Sequence, residues 1–361
     1  MAIRDSEGWD YFPVAGSGSQ VLARIYGALG YYDWYTTGSG LLNLPSIVAA
    51  DAPYGYGKFM RVNTFQGYIC KLLPAAFTEG YVGMNLRSLP GDSGDRGFYF
   101  DFIDPTSQRK AVRVRFDDFG VVKIYRCVYN STGSLLNEVL IGTSAPGSFP
   151  ENQWFYAEIH FVLGSDLEVR INTEVVLSLV DALINSTPDP CASFQAVGWF
   201  PDGFAGMDVD NWHFDDAQYN GVVRVQWQPP MAAGDQTEWT SWNLSMPNWQ
   251  SAINENMDDS RYVFNSTQEP GDYDLYRVTP LINSPEVLSV AVKGAYRQND
   301  ATQFFVQNVL KSGAATTFGV LKPANNQYKF NIDRYNVDPN TGLPWTYNAV
   351  NALQIGPKQE D

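Results

Sequence analysis

The chain has 361 residues, enough for two domains, with 39 acidic against 24 basic side chains and a net charge of −15. Aromatics make up 14% and charged residues only 17%, so a large core can be buried and wholesale disorder is excluded. The scarcity of basic residues excludes phosphate-led nucleic-acid binding, and no uncharged apolar run reaches the roughly 18 residues of a membrane span.

In chain order, the first helix signal is Pro45 to Ala52, where proline suits a first turn. Alternating apolar and polar residues then predict strands at 98–103, 111–116, 121–128 and 154–162. A hairpin follows, with arms at 167–171 and 174–179 joined by Asn172-Thr173, a spacing that fits a tight turn. Further strands are expected at 193–200, 207–214 and 221–227. Strands at this spacing, separated by Gly, Pro, Asn, Asp and Ser, predict an all-β fold: an antiparallel jelly-roll β-sandwich over residues 1–230, with about six or seven strands per sheet.

Residues 228–235 contain Pro229-Pro230 and Gly234-Asp235 and read as a linker. Beyond it, residues 231–361 are expected to form a smaller C-terminal β domain. Pro247 to Asn256 is a short helix signal there. Strand-like runs occupy 273–279, 287–296, 303–310 and 328–333, and a last short element spans 349–355.

Candidates for chemistry are few. The two histidines are His160 and His213, and the three cysteines are Cys70, Cys127 and Cys191. An odd cysteine count without CxxC spacing argues strongly against a Cys/His zinc site and against a full disulfide framework. Three buried thiols are expected, and one bridge with a spare thiol stays open. On its strand His160 shares the polar face with Tyr156 and Glu158, which reads as a surface or cross-strand histidine rather than a catalytic base. No GxSxG, HExxH or ExDxxE string occurs, so no catalytic residues, no cofactor and no enzymatic role are expected.

The acidic group Asp202, Asp208, Asp210, Asp215 and Asp216 includes two residues, Asp208 and Asp210, that share a strand face. These two are the weak candidate Ca²⁺ ligands; a solvated strand edge is the favoured reading, and no metal is expected. Tyr31, Tyr32, Trp34 and Tyr35 form an aromatic loop that could stack on sugar rings or contact a protein partner, and partner contact is the favoured use. The amino terminus lacks a basic region followed by an apolar stretch, so no signal peptide is expected and synthesis is assigned to a cytoplasm.

Several strings taken together carry a resemblance. They are GWDYF (8–12), WFYAEIHF (154–161), LEVRINTEVVLS (167–178), VDNWHFDD (209–216) and NGVVRVQWQPP (220–230). WTSWNLSMPNWQSAINE (239–255), DDSRYVFNSTQEPGDYDLYRV (258–278) and the closing DPNTGLPWTYNAVNALQIG (338–356) continue them. In this order they resemble tailed-bacteriophage virion structural proteins with a concanavalin A/laminin-G-like jelly roll, from about residue 150 onward and less specifically before it. The chain departs from that pattern at Asn172-Thr173, where Asn-Gly is common, and at Gln354, where Glu is usual. The resemblance implies a non-enzymatic virion component (fibre, tail, collar or head-decorating) that self-associates as a homo-oligomer and docks onto other virion proteins. The alternative is a carbohydrate-binding adhesin for host surface glycans. A depolymerase is the least supported reading, because the paired-carboxylate motif is absent.

Overall fold

The computed structural model describes residues 3–8, 32–36, 46–49, 51–53, 58–62, 67–89, 96–104, 106–107, 109–180, 184–188, 190–203, 206–254, 259–267, 269–282, 286–299 and 304–361. The chain divides into two compact units, Ala2–Val225 and Gln226–Asp361.

The first unit contains β1 (Ile3–Glu7), β2 (Tyr32–Thr36), β3 (Ser46–Val48), β4 (Phe59–Val62), β5 (Gly67–Phe77), β6 (Glu79–Ser88), β7 (Arg96–Asp104) and β8 (Arg109–Asp117). It continues with β9 (Val121–Tyr129), β10 (Leu135–Thr143), β11 (Phe155–Val162), β12 (Asp166–Ile171), β13 (Glu174–Val180), β14 (Phe194–Gly203) and β15 (Met207–Asp215). One sheet runs β13-β12-β11-β6-β15-β4-β3, with β1 also on β15; the other runs β10-β9-β8-β7-β14-β5-β2. All pairings between these strands are antiparallel, and the unit is a two-sheet jelly-roll β-sandwich.

Period-two alternation decides which side chains meet between the sheets. Phe98, Phe100 and Phe102 of β7 point inward with Phe116, Phe155, Phe161, Phe194, Trp199 and Trp212, all essentially buried. Phe102 packs 4.5 Å from Phe161, and Trp199 lies 6.1 Å from both Phe100 and Trp212. Much of the aromatic content therefore forms a core, where each ring contributes about 2–3 kcal/mol of burial. Lys71 and Asp5 also face inward as a buried ion pair at 3.3 Å.

The predicted hairpin is present: Asn172 and Thr173 both adopt positive φ, 48° and 77°, between β12 and β13. Three expectations are corrected. Pro45 to Ala52 contains β3, not a helix, because Ile47 and Val48 are β-branched and pair with β4. Residues 228–235 are not a free linker: Pro230–Ala233 is an edge strand, and proline at a strand's first residue need not donate to the ladder. Residues 221–227 form no strand; Val225 N–H donates instead to the side chain of Asn211.

In the second unit the strands are β16 (Pro230–Ala233), β17 (Thr240–Ser241), β18 (Val263–Phe264), β19 (Tyr276–Val278), β20 (Val290–Tyr296), β21 (Phe305–Ser312), β22 (Ala315–Phe318), β23 (Lys322–Pro323), β24 (Lys329–Tyr335) and β25 (Gln354–Glu360). The main sheet runs β16-β19-β25-β21-β22, with β23 on β21, and β17–β18 and β20–β24 form separate pairs. Among the described residues it also has two short helices, α1 (Asn248–Ser251) and α2 (Tyr347–Asn351). Val278, Val292, Leu310, Trp345, Val350 and Leu353 form its core. The closing DPNTGLPWT string builds a turn and a cap. Asp338 accepts from Asn340 N–H, Gly342 takes φ 69°, Trp345 Nε1 donates to Tyr335 O, and Thr346 Oγ1 caps α2.

Candidate functional site

The outer face of the eight-stranded sheet carries the largest gathering of the residues singled out from sequence. Registry lines them up in four transverse rows: Arg61–Asp208–Arg87, then Asp210–Asn85–Tyr156, then His213–Gly83–Glu158–Arg170, then Asp215–Tyr81–His160–Glu168. A bulge at Asn211, φ 51°, shifts β15 so that His213 and Asp215 fall on the same face as Asp208 and Asp210. Gly83 is required in its row: a Cβ there would lie 2.2 Å from His213 and 2.3 Å from the Tyr156 hydroxyl.

The middle of this lane is buried beneath residues 216–225. Asn220 and Gly221 both donate backbone N–H groups to Glu158 Oε1, at 2.8 and 3.1 Å. Asp215 accepts from the N–H groups of Ala217 and Gln218 and from the Asn220 amide. Burial pushes the Glu158 carboxyl above its usual range, against the pull of the two N–H groups. Burial likewise holds the His213 imidazole down to about 4.

One end of the lane is open. The Tyr81 and His160 rings stack with centroids 4.1 Å apart, and Tyr219 meets both edge-on. The Arg170 guanidinium lies 3.6 Å from the Tyr219 ring centroid and is hydrogen-bonded to Glu168. His160 Nε2 is 3.0 Å from Glu79. These side chains are part-exposed, and together they present aromatic surface bordered by carboxylates and a guanidinium. His160 is thus a cross-strand histidine on the outward face.

At the other end the favoured reading of Asp208 and Asp210 as a solvated strand edge is corrected, because β15 lies inside its sheet and both residues are buried, and the Ca²⁺ alternative meets an Asp208 already engaged. Asp208 is fully buried, and both its oxygens are taken by guanidinium groups: Arg61 Nε at 2.7 Å, and Arg87 Nε and Nη2 at 2.9 and 2.6 Å. Two fixed cations at that carboxylate exclude a third. Asp210 shares the face but accepts from Asn211 N–H. Among the described residues no three His, Cys, Asp or Glu side chains converge as a metal group. Asp216 pairs with Arg4, and the Asp202 side chain lies outside the described residues.

The aromatic loop expectation is also changed. Tyr32, Trp34 and Tyr35 belong to β2, an edge strand paired with β5, since alternating Tyr, Trp and Thr suit a pleated edge. Tyr31 and the three side chains lie outside the described residues. Cys70, Cys127 and Cys191 are buried and are not joined in a disulfide. On the outer face of the seven-stranded sheet, charges compensate internally. Asp101 pairs with Arg113 and Lys110, and the Arg113 guanidinium lies 3.7 Å from the Tyr99 ring centroid.

The sequence signal for the open end was the polar face shared by Glu158 and His160. Tyr81, Tyr219 and Arg170 carried none of their own, because they come from other strands and from the segment after β15. Among the described residues no helix is long and apolar enough to cross a membrane, which leaves β-barrels unaddressed.

No protein-family model matches the chain, and no curated protein matches it in sequence. Similar solved structures include the carbohydrate binding module CBM66 from Bacillus subtilis, at 13% identity over 52% of this chain and 96% of that one, TM-score 0.34. Bacillus licheniformis beta-glucanase is similar at 12% identity over 52% and 93%, TM-score 0.34. Sheep galectin-11, in complex with glycerol, is similar at 14% identity over 44% and 96%, TM-score 0.29.

Proposed function

We propose that the chain is a non-enzymatic recognition protein whose jelly-roll unit binds glycan on the outer face of the eight-stranded sheet. The observation that carries this reading is the part-exposed Tyr81–His160–Tyr219 cluster bordered by Glu79, Glu168 and Arg170. Aromatic faces pack against the apolar face of a sugar ring, and fixed carboxylates and guanidinium groups order its hydroxyls. The non-enzymatic part rests on engagement of the buried carboxylates. Asp208 is held by two arginines, Glu158 by two backbone N–H groups and Asp215 by three donors, so none is placed for general acid or base work.

The test is binding to a glycan array by wild type and by the Tyr81→Ala and His160→Ala variants. The reading expects wild-type binding that falls about tenfold or more in either variant. An array without signal, or binding unchanged by both substitutions, overturns it.

A second reading is favoured by exposed apolar side chains on the second unit, among them Leu244 at 86%, Leu343 at 63% and Val320 at 63% exposure. Together with the sequence resemblance they support a tailed-phage virion component, homo-oligomeric and docked on other virion proteins. Antibody labelling of purified particles tests it, and absence of the chain from such particles overturns it. A receptor-binding virion part would satisfy both readings.

A further inference from the structure

We propose that the end of the lane built from Arg61, Arg87 and Trp154 is an anion subsite that reads the carboxylate of an acidic sugar. The proposal rests on the glycan reading above and narrows its ligand class.

A position expected to attract a cation has become its opposite. Asp208 contributes one negative charge and the two arginines contribute two positive ones, so the trio carries a net positive charge within a chain of −15. The bonds to Asp208 use Nε and Nη2 of each arginine. Each guanidinium therefore keeps its Nη1 without an acceptor among the described residues.

Those groups are held in place. Arg87 lies 4.8 Å from the Trp154 ring centroid and 5.4 Å from that of Phe59, and Arg61 lies 5.5 Å from Phe59. Phe59 meets Trp154 edge-on at 5.2 Å, and Trp154 Nε1 is tied to Asp51 O at 2.6 Å. The guanidinium heads are held by these contacts, and the two side chains are still 30% and 14% exposed. Oriented guanidinium groups beside an aromatic ring suit a planar carboxylate on a sugar. The overall charge disfavours a long polyanion, so the ligand class is a short acidic saccharide.

Asp51 is the competing charge. It is exposed, and the Arg61 pKa is raised first by the hydrogen bond to Asp208, then by the charges of Asp208 and of Asp51. Removing it should favour an incoming anion. Its backbone φ of 60° is one that asparagine tolerates well.

The experiment is calorimetric titration of the full chain with 3′-sialyllactose and trigalacturonate, each against its neutral counterpart, lactose and galactotriose. Wild type should bind an acidic sugar about tenfold more tightly than its neutral counterpart. That preference should weaken at high salt and disappear in Arg87→Met. Asp51→Asn, an exposed change that leaves the packing intact, should strengthen acidic binding several-fold and leave neutral binding unchanged. Equal affinity for acidic and neutral sugars, with Asp51→Asn silent, overturns the subsite and leaves the glycan reading standing. Binding of neither class in these titrations overturns the subsite, and only an array also without signal removes the glycan reading.

Discussion

Asn220 donates its backbone N–H to Oε1 of Glu158 at 2.8 Å, fastening the segment that leaves β15 to the outer face of the sheet it has just completed. Gly221 donates to the same oxygen, and Val225 N–H reaches Asn211. Residues 216–225 therefore take their hydrogen bonds from side chains of the sheet rather than from a neighbouring strand. The open aromatic cluster depends on this, because Tyr219 is delivered by that segment.

Replacing Glu158 by alanine should free it. Two N–H groups would lose their acceptor under cover, at about 2–4 kcal/mol in total. Glu158→Gln keeps a carbonyl acceptor and should cost less than half as much. Denaturant unfolding measures the loss, and hydrogen exchange at 216–225 should accelerate in Glu158→Ala alone. Unchanged exchange in that variant would show that the segment is held by something else.

His213 sets an opposite pH dependence on the same face. Burial holds its imidazole to about 4, below the ordinary 6.5, so between those values the unfolded chain binds a proton that the folded chain excludes. Its contribution is fully present above pH 6.5 and is lost as pH falls toward 4, about 3 kcal/mol over the window. Glu158 runs the other way: its raised carboxyl favours the folded state at low pH and loses that advantage as pH rises through its folded pKa. The two partly cancel in wild type. Removing His213 should therefore leave the Glu158 dependence unopposed, so the stability of His213→Gln relative to wild type should rise as pH falls from 6.5 to 4, and parallel curves would refute the assignment.

The limits of the sequence reading follow from where partners lie. Alternation located β12 and β13, and Asn172 marked the turn, because those signals are local. The shared face of Asp208 and Asp210 was legible for the same reason. The residues that decide their chemistry were not: Arg61 and Arg87 lie 147 and 121 positions away from Asp208, and nothing local announces them. Residues 221–227 alternate like a strand and bury Val223, but they enter no ladder. Prolines 229 and 230 suggested a linker, although an edge strand admits a proline at its first residue.

The hairpin turn offers a gain in stability. Thr173 is β-branched and sits at φ 77°, a region that costs such residues about 1–2 kcal/mol. Thr173→Gly should raise stability by about 1 kcal/mol, the relief of strain exceeding the entropy that glycine adds to the unfolded chain. A lower melting temperature would mean that the threonine makes contacts worth more than the strain.

In the second unit, Asp274 holds the start of the domain together. It is fully buried, and each oxygen accepts two hydrogen bonds: Oδ1 from Glu238 and Trp239 N–H, Oδ2 from the Asn248 amide and the Tyr276 hydroxyl. All four partners donate, so an amide is no substitute. Whichever way the side chain of an Asp274→Asn variant turned, its NH₂ would face two donors. The loss should be about 3–4 kcal/mol, close to that of Asp274→Ala, whereas an ordinary acid-to-amide change at the surface stays within about 0.5 kcal/mol. Tryptophan fluorescence during denaturant unfolding should register it, because the Trp239 backbone N–H is bonded to this carboxylate. An Asp274→Asn protein as stable as wild type would require one of the four donors to turn to another acceptor, and hydrogen exchange at Glu238 and Trp239 would identify which.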